Sequence, residues 1–220
     1  MLVDMHVHTA VSSPCSFIDP ETMITWAERV GLDALCVTEH DEVEGAQAAY
    51  ELGLRRGFRI FRGVEIYTDL GDVLVFGCLR DARSWQVPYA ELLQEVHAAG
   101  GIVIPAHPWR GQGGLEELLA KEGMREMLST CDALEVINGG TSRDHNLVAA
   151  EAARRFGLPG VGGSDAHHLA QIGRALTRFE RELESEEDLV REVRAGRCRA
   201  LYMHEEPGLK WPAAGWGGQG

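Results

Sequence analysis

Positive charge is scarce in this sequence. It has 21 lysines and arginines against 34 aspartates and glutamates, which gives a formal net charge of −13 with neutral histidines. This balance opposes the general attraction to a phosphate backbone that nucleic-acid binders use, so we do not expect extended nucleic acid as a partner. Metal cations bound among the acidic side chains would make the protein less negative. The opening of such a metal site would then attract a small anion.

Long apolar runs and closely spaced cysteines are also missing. No run approaches the roughly 20 apolar residues that a membrane helix needs, and no charged-then-apolar leader precedes Val3. The five cysteines, at positions 15, 36, 78, 131 and 198, show no C-x-x-C spacing. Cys36, Cys78 and Cys198 lie in strand-like runs, and buried free thiols in a reducing compartment explain this pattern. We therefore expect a cytoplasmic protein without membrane contact, and the sequence does not predict its oligomeric state.

Short apolar runs alternate with amphipathic stretches along the chain. Eight strands are predicted, at 2–8, 34–38, 59–65, 73–79, 102–106, 133–138, 160–163 and 199–203. Five helices are predicted, at 20–30, 44–56, 89–99, 143–156 and 186–195. Their starts and stops are recognisable, for example Asp19-Pro20 before the first helix and Gly57 after the second. The alternation predicts parallel strands joined by crossover helices.

Polar residues stand at or near the carboxyl ends of five predicted strands, namely the first, second, third, fifth and seventh. An open sheet would spread these residues along an edge, whereas a closed barrel brings them to one mouth. We therefore expect one α/β barrel domain of seven or eight units over residues 1–206. A weakly ordered tail rich in glycine and proline is expected at 207–220.

Imidazoles and carboxylates that suit divalent metals recur at those strand ends. The seven candidate ligands are His6, His8, His40, Glu65, His107, Asp165 and His167. Side chains alternate along a strand, so the members of each pair two residues apart, such as His6 and His8, can chelate one ion. A carboxylate at Glu65 can bridge two cations about 3.5–4 Å apart. The alternatives are a surface acid at Glu65 and turn or capping histidines at His40 and His107.

Three further residues are candidates for contacts with a substrate. Arg174 and Arg110 could clamp a phosphate as forked donors, although most arginines are surface charges. Asn138 could donate to a substrate or to a carboxylate behind the ligands. A turn-forming asparagine before Gly139 is an equal alternative for Asn138.

Taken in order, these motifs resemble those of the polymerase-and-histidinol-phosphatase (PHP) family. The matching segments are DMHVHT at 4–9, TEHD at 38–41, GVE at 63–65, HP at 107–108 and SDAH at 164–167 with Gly173 following. The resemblance spans about residues 2–203. It implies a distorted (β/α)7 TIM-like barrel with a metal site at the C-terminal ends of the strands, and phosphoester hydrolysis as the activity.

The resemblance also implies an arrangement of two or three divalent ions. One ion would take His6, His8, Glu65 and Asp165, a second would share Glu65 and take His107, and a third would take His40 and His167. Two segments depart from the family pattern. The stretch from Ser12 to Cys15 lacks the acid or histidine that completes the third site in many members, and Asp72 stands where others have a histidine. Mixed imidazole and carboxylate ligation suits Mn²⁺, Zn²⁺ or Fe²⁺ better than Mg²⁺ or Ca²⁺.

The leading hypothesis is a metal-dependent hydrolase that cleaves the phosphoester of a small metabolite or nucleotide. Coordination lowers the pKa of water from about 15.7 to about 7, so a metal-activated hydroxide would attack phosphorus. Glu65 would bridge the ions, Arg174 would hold the phosphate, and His40 or His167 would protonate the leaving oxygen where it binds no metal.

Two other functions remain open. An amidohydrolase also opens with His-x-His in a metal-bearing barrel, but it usually bridges its ions with a carboxylated lysine. The only lysines, Lys121 and Lys210, are not at strand ends. A metal-binding module without turnover is the second alternative, and the incomplete third site supports it.

Overall fold

The computed structural model describes residues 1–82, 85–111 and 113–210. The strands within these ranges are β1 (Leu2–Val7), β2 (Ala34–His40), β3 (Arg59–Thr68), β4 (Gly71–Phe76), β5 (Ile102–Pro105), β6 (Leu134–Asn138), β7 (Gly160–Gly163), β8 (Ala175–Phe179) and β9 (Cys198–Tyr202). The helices are α1 (Pro20–Val30), α2 (Glu44–Arg56), α3 (Tyr89–Ala98), α4 (Leu115–Leu119), α5 (Met124–Thr130), α6 (Arg143–Phe156) and α7 (Glu186–Arg194).

Seven of the strands form one curled, mixed sheet in the order β5-β4-β3-β2-β1-β8-β9. The strands β6 and β7 form a separate parallel pair. This pair contacts β1 on one side, where the N–H of Asp165 donates to the carbonyl of His6 at 2.7 Å. On the other side the N–H of Asp132 donates to the carbonyl of Val103 in β5 at 3.0 Å. The pair therefore lies between β1 and the edge strand β5, beside the candidate site.

The expectation of parallel strands throughout is wrong at β4 and β8. The strand β4 runs antiparallel to β3, because the two are joined by a hairpin in which Thr68 pairs with Gly71. A parallel crossover needs about a dozen residues or more. The strand β8, which the sequence pattern did not predict, is antiparallel to both β1 and β9. The fold is thus a mixed α/β sheet, not a uniform (β/α) barrel.

The strands that carry the candidate ligands nevertheless run in one direction. β1, β2 and β3 are parallel neighbours. β5 is antiparallel to β4 and so has the direction of β3. The segment after β7 pairs in parallel with β1 through Val7 and Ala166. The carboxyl ends of all five strands therefore meet at one end of the sheet, as the sequence predicted.

The helix boundaries follow local capping chemistry. At α1 the Asp19 carboxylate accepts from the N–H groups of Glu21 and Thr22, and Gly31 closes the helix with φ 94°. The predicted bounds of α1, α2 and α6 are confirmed, while α3 and α7 each end one residue earlier than predicted. The short helices α4 and α5 were not predicted, since each has fewer than eight residues.

Apolar side chains fill the interior of the curled sheet below the site. Met5, Cys36, Phe61 and Phe76 are all at most 2% exposed there. Gly63 is required beside them, because a Cβ at that position would lie 2.5 Å from the Phe76 ring. This packed floor leaves the polar side chains at the carboxyl ends of the strands as the lining above it.

The remaining expectations concern the cysteines, the membrane and the tail. All five cysteines are free, as predicted. No helix among the described residues has the length and apolar character to cross a bilayer. The predicted weakly ordered tail at 207–220 is described only to Lys210, whose N–H donates to the carbonyl of Val30 at 3.1 Å. Residues 211–220 lie outside the described residues.

Candidate metal centre

The fold brings all seven predicted ligands to one cluster, with the Glu65 carboxylate at its middle. Oε2 of Glu65 lies 3.3 Å from Nε2 of both His6 and His8 and 3.0 Å from Nδ1 of His40. Its other oxygen, Oε1, lies 3.0 Å from Nε2 of His107. Glu65 does not end its strand as predicted, because β3 continues to Thr68. A carboxylate that faces four imidazoles is placed to bridge two cations.

Asp165 and His167 complete the cluster from the opposite side. Oδ1 of Asp165 lies 3.5 Å from Nε2 of His6 and 3.4 Å from Nε2 of His8. Nδ1 of His167 is 3.6 Å from the same oxygen, and its ring stacks on His8 with 4.5 Å between centroids. Their i, i+2 spacing therefore does bring both side chains to one place.

Four overlapping groups of these residues have donor atoms close enough to share an ion. The groups are His6, His8 and Glu65; His6, His107 and Asp165; His8, His40 and His167; and Glu65, Asp72 and His107. Nitrogen and carboxylate oxygen donors that converge in this way fit Mn²⁺, Zn²⁺ or Fe²⁺ chemically. The number and identity of the ions, and each ligand role, stay predictions.

Two cluster residues hold left-handed backbone conformations that are uncommon outside glycine. His107 has φ 31° and Asp165 has φ 54°. Such a conformation costs on the order of 1–3 kcal/mol and persists where surrounding contacts enforce it. The N–H of Asp165 donates to the His6 carbonyl, and the N–H of His107 donates to Oε2 of Glu135 at 2.8 Å. These bonds turn both side chains toward the cluster.

Opposite charges offset burial in the cluster. Burial disfavours the charged forms of His6 and Glu65 more than any one neighbour favours them, but the combined attraction of the surrounding opposite charges and hydrogen bonds outweighs burial. The pKa of His6 is therefore raised well above its ordinary value, and that of Glu65 is held well below its own. The pKa of Asp165 is also low, because His6 and His8 outweigh its burial. Both carboxylates are thus ionised at neutral pH and available to a cation.

Sequence reasoning missed a further buried carboxylate beside the cluster, Glu135 of β6, which is 1% exposed. Its Oε1 lies 3.0 Å from Nδ1 of His6, and Oε2 accepts from Nδ2 of Asn138 at 2.9 Å as well as from the His107 backbone. A hydrogen bond at Nδ1 leaves Nε2 of His6 for a metal. Asn138 therefore supports a carboxylate behind the ligands, and its Oδ1 also accepts from Gly140 N–H in the turn.

A second missed acid is Glu39 of β2, which is also buried. Its carboxylate accepts hydrogen bonds from the backbone N–H and hydroxyl of Thr9 and from the hydroxyl of Ser13. Oγ of Ser13 is 3.4 Å from Nδ1 of His8. The signal for both missed acids is a carboxylate inside an apolar strand, because such a group is costly to bury without partners.

The two segments that depart from the family pattern differ in their positions. Asp72 lies near Glu65 and His107, where its carboxylate could ligate. The Ser13 hydroxyl donates a hydrogen bond to the Glu39 carboxylate and accepts one from the backbone N–H of His40 at 3.2 Å. Cys15 is exposed. The contacts of this loop therefore supply no acid or histidine in place of the ligand found in other members.

The two candidate arginines have different positions. Arg110 contacts the Asp165 carboxylate and also donates to Oδ1 of Asn138 at 2.9 Å. Arg174 is exposed, and its Nε donates to the carbonyl of Ala170 at 3.2 Å. In the contacts described for these residues, Arg110 joins the cluster and Arg174 lies apart from it, although the sequence favoured Arg174.

The match to a protein family agrees with this geometry. The family model described as PHP domain matches residues 4–136, which contain five of the seven clustered residues. The chain belongs to the PHP domain family. A second model, described as PHP-associated, matches residues 143–198 and includes Asp165 and His167. The two matches together therefore span the whole cluster of this PHP domain.

Known proteins resemble this PHP domain along most of its length. An uncharacterised protein of Methanocaldococcus jannaschii, MJ0417, is 28% identical over 194 residues, covering 86% of this chain and 75% of that protein. A protein described as a candidate metal-dependent phosphoesterase from Bifidobacterium adolescentis has a TM-score of 0.65 at 19% identity, covering 88% of this chain and 96% of its own. An amidohydrolase from Chromobacterium violaceum, with bound sulfate and no metal, has a TM-score of 0.66 at 18% identity, covering 93% and 99%. The two structural likenesses concern the fold alone.

Proposed function

We propose that this PHP domain is a metal-dependent phosphoesterase that hydrolyses a small phosphorylated metabolite or nucleotide. The observation that carries the proposal is the contact of one buried carboxylate, Glu65, with the imidazoles of His6, His8, His40 and His107. When bound there, divalent cations lower the pKa of water and neutralise phosphoryl oxygens. Family membership and the fold of the Bifidobacterium protein support the same reaction class.

The residues of the cluster divide into buried and accessible ones. His6 and His8 are fully buried and hold fixed positions, as ligands require. The side chains of His40 and His167 are 40% and 24% exposed, so they face the mouth. From there either imidazole could give a proton to a leaving oxygen. Burial and the charge of His8 lower the pKa of His167, so its protonated form would give up a proton more readily than an ordinary imidazolium does.

Arg110 is placed to contact the phosphoryl group. Its guanidinium contacts an oxygen of the Asp165 carboxylate. A cation bound to Asp165 would compete with Arg110 for this oxygen. The released guanidinium could then donate hydrogen bonds to the phosphoryl oxygens of a substrate. A cavity of about 440 Å³, lined in part by Asp72, His107, Arg110 and Lys121, adjoins the cluster. Small-molecule sites commonly have about 300–1,000 Å³, so this space suits a metabolite. The sulfate in the Chromobacterium amidohydrolase is a tetrahedral anion of the same kind.

An amidohydrolase is the second candidate, and its support is the fold of that Chromobacterium protein. Glu65, whose carboxylate lies among four imidazoles, would take the bridging role that a carboxylated lysine has in the common amidohydrolases. Lys121 follows α4 and lines the cavity, and Lys210 lies beyond β9 near Val30. Neither lysine is at the centre of the cluster, which favours phosphoester over cyclic-amide hydrolysis.

The test is a substrate panel with wild-type protein loaded with Mn²⁺ and the variant Glu65→Ala. We expect phosphoester hydrolysis by wild type, no hydrolysis of lactones or cyclic amides, and loss of both activity and bound metal in a folded Glu65→Ala protein. Turnover of lactones or cyclic amides alone would favour the amidohydrolase. A fully metallated wild type that turns over none of these substrates would favour a metal-binding module without activity.

A further inference from the structure

Two aromatic side chains of this domain are unusually exposed. Phe17 is 74% exposed and Trp85 is 84% exposed. Apolar rings of this size normally contribute to a core, and each of these two instead packs one neighbouring ring and leaves the rest of its surface to solvent. Neither ring has a role in the hydrolysis proposed above.

Phe17 is attached to the backbone of the cluster. Its ring lies parallel to that of His168, with 5.0 Å between centroids and 11° between planes. Its N–H donates to the carbonyl of His167 at 2.9 Å, and Oγ of the preceding Ser16 donates to the carbonyl of His8 at 2.9 Å. The Phe17–His168 pair is therefore fixed to the backbone of two cluster histidines.

The second ring is held near Glu65 in a similar way. Tyr67 follows Glu65 by two positions in β3, so both side chains leave the same face of the strand and Tyr67 is nearer the mouth. The rings of Tyr67 and Trp85 are 5.4 Å apart and tilted by 57°. The N–H of Val87 donates to the carbonyl of Tyr67 at 3.0 Å, which ties the segment of Trp85 to β3.

We propose that these two pairs, Phe17–His168 and Tyr67–Trp85, form an aromatic rim that binds a flat ring in the leaving group of the phosphoester. The proposal rests on the proposed function, because the cluster would hold the phosphoryl group from which the ring extends. Exposed aromatic rings anchored to the backbone of His8 and His167 and to the strand of Glu65 suit stacking, which accepts any ring with a π-face. The rim thus selects a nucleobase or an aryl group over an alkyl group.

Binding to the protein loaded with Mn²⁺ tests the rim without turnover if the ester oxygen of each ligand is replaced by a methylene group, which gives a phosphonate that cannot be hydrolysed at that position. Isothermal titration would compare adenosine monophosphate with ribose 5-phosphate, which differ by the base alone, and phenyl phosphate with glycerol phosphate. We expect each ring-bearing ligand to bind at least about 5-fold more tightly than its partner. If only the adenosine ligand binds more tightly than its partner, the rim is specific for a nucleobase. If only the phenyl ligand does, the rim is specific for an aryl group.

The variants Phe17→Ala and Trp85→Ala identify the residues responsible. At least one should reduce the wild-type preference to about 2-fold or less while the affinity for ribose 5-phosphate stays within about 2-fold. Leu54→Ala is the matched control, because Leu54 is 66% exposed on α2 away from the cluster, and it should change neither affinity. Equal binding of ringed and ringless ligands by wild type, or a preference that survives both substitutions, overturns the rim. Failure of the proposed phosphoesterase activity is a different result. It would appear as absent hydrolysis, whatever the ratio of the affinities for ring-bearing and ringless ligands.

Discussion

Oε1 of Glu135 lies 3.0 Å from Nδ1 of His6, and both side chains are fully buried. The other oxygen of Glu135 accepts from the backbone N–H of His107, which follows β5. One carboxylate therefore orients two cluster histidines, one through its ring and the other through its main chain. Such contacts fix the tautomer and direction of a metal-binding imidazole.

The substitution Glu135→Gln should weaken metal binding by about 10–100-fold, as is typical when a residue behind a metal ligand is changed. Isothermal titration with Mn²⁺ measures the affinity, and ¹⁵N spectra of the His6 ring report its tautomer. The matched control is Glu192→Gln, which removes a 1%-exposed acid paired with arginines away from the cluster. An unchanged Mn²⁺ affinity in Glu135→Gln would contradict the role given to Glu135.

Replacing each of the two candidate arginines by glutamine separates their roles. Arg110→Gln should raise KM for a phosphoester by about 10-fold or more, because a charge-assisted hydrogen bond contributes about 1.5–3 kcal/mol. Arg174→Gln should leave KM within about 2-fold, since Arg174 lies apart from the cluster in the described contacts. Steady-state kinetics with Mn²⁺ measure both. The reverse pattern would restore the phosphate role that the sequence favoured for Arg174.

A methyl group at Gly163 should disturb the cluster from behind. A Cβ there would lie 2.8 Å from the backbone nitrogen of His6 and 3.0 Å from Oε1 of Glu135. Gly163→Ala should therefore lower the free energy of unfolding by about 1–3 kcal/mol, as overpacking does, and weaken Mn²⁺ binding. Urea denaturation gives the first quantity. Gly114→Ala, with no atom within 4 Å of its Cβ, is the control, and equal stability of the two variants would refute the close approach.

The ion-pair network of α7 predicts a pH dependence of stability. Hydrogen bonds from Arg197 and Arg181 lower the pKa of Glu192 from 4.5 to about 2. The ionised form is favoured in the folded protein, so its contribution is present above about pH 4.5 and is lost as the pH falls toward about 2. Glu192→Gln should destabilise the protein most near pH 6 and progressively less toward pH 3. Urea denaturation of both proteins at each pH measures this difference in the free energy of unfolding. A difference independent of pH would contradict this sign.

The sequence predicted the cluster better than it predicted the sheet. His6 and His8 share a strand face by spacing alone, and carboxyl ends of parallel strands meet whatever the loops do. The reversal of β4 depended on a tight hairpin at Thr68–Gly71, and an apolar run looks the same in either direction. The five-residue strand β8 was missed because its polar and apolar residues give no clear period.

By itself the sequence determined the kinds of donor atom, their order along the chain and the strands that carry them, because these follow from residue type and spacing. Glu39, Glu65 and Glu135 give similar signals in sequence, because each acid stands within or directly after a predicted apolar strand. Only the tertiary structure decided that Glu65 faces the imidazoles, that Glu135 stands behind His6, and that Glu39 binds Thr9 and Ser13. The reason is physical: a buried carboxylate is stabilised by whichever donors the neighbouring strands bring to it, and those neighbours are distant in sequence.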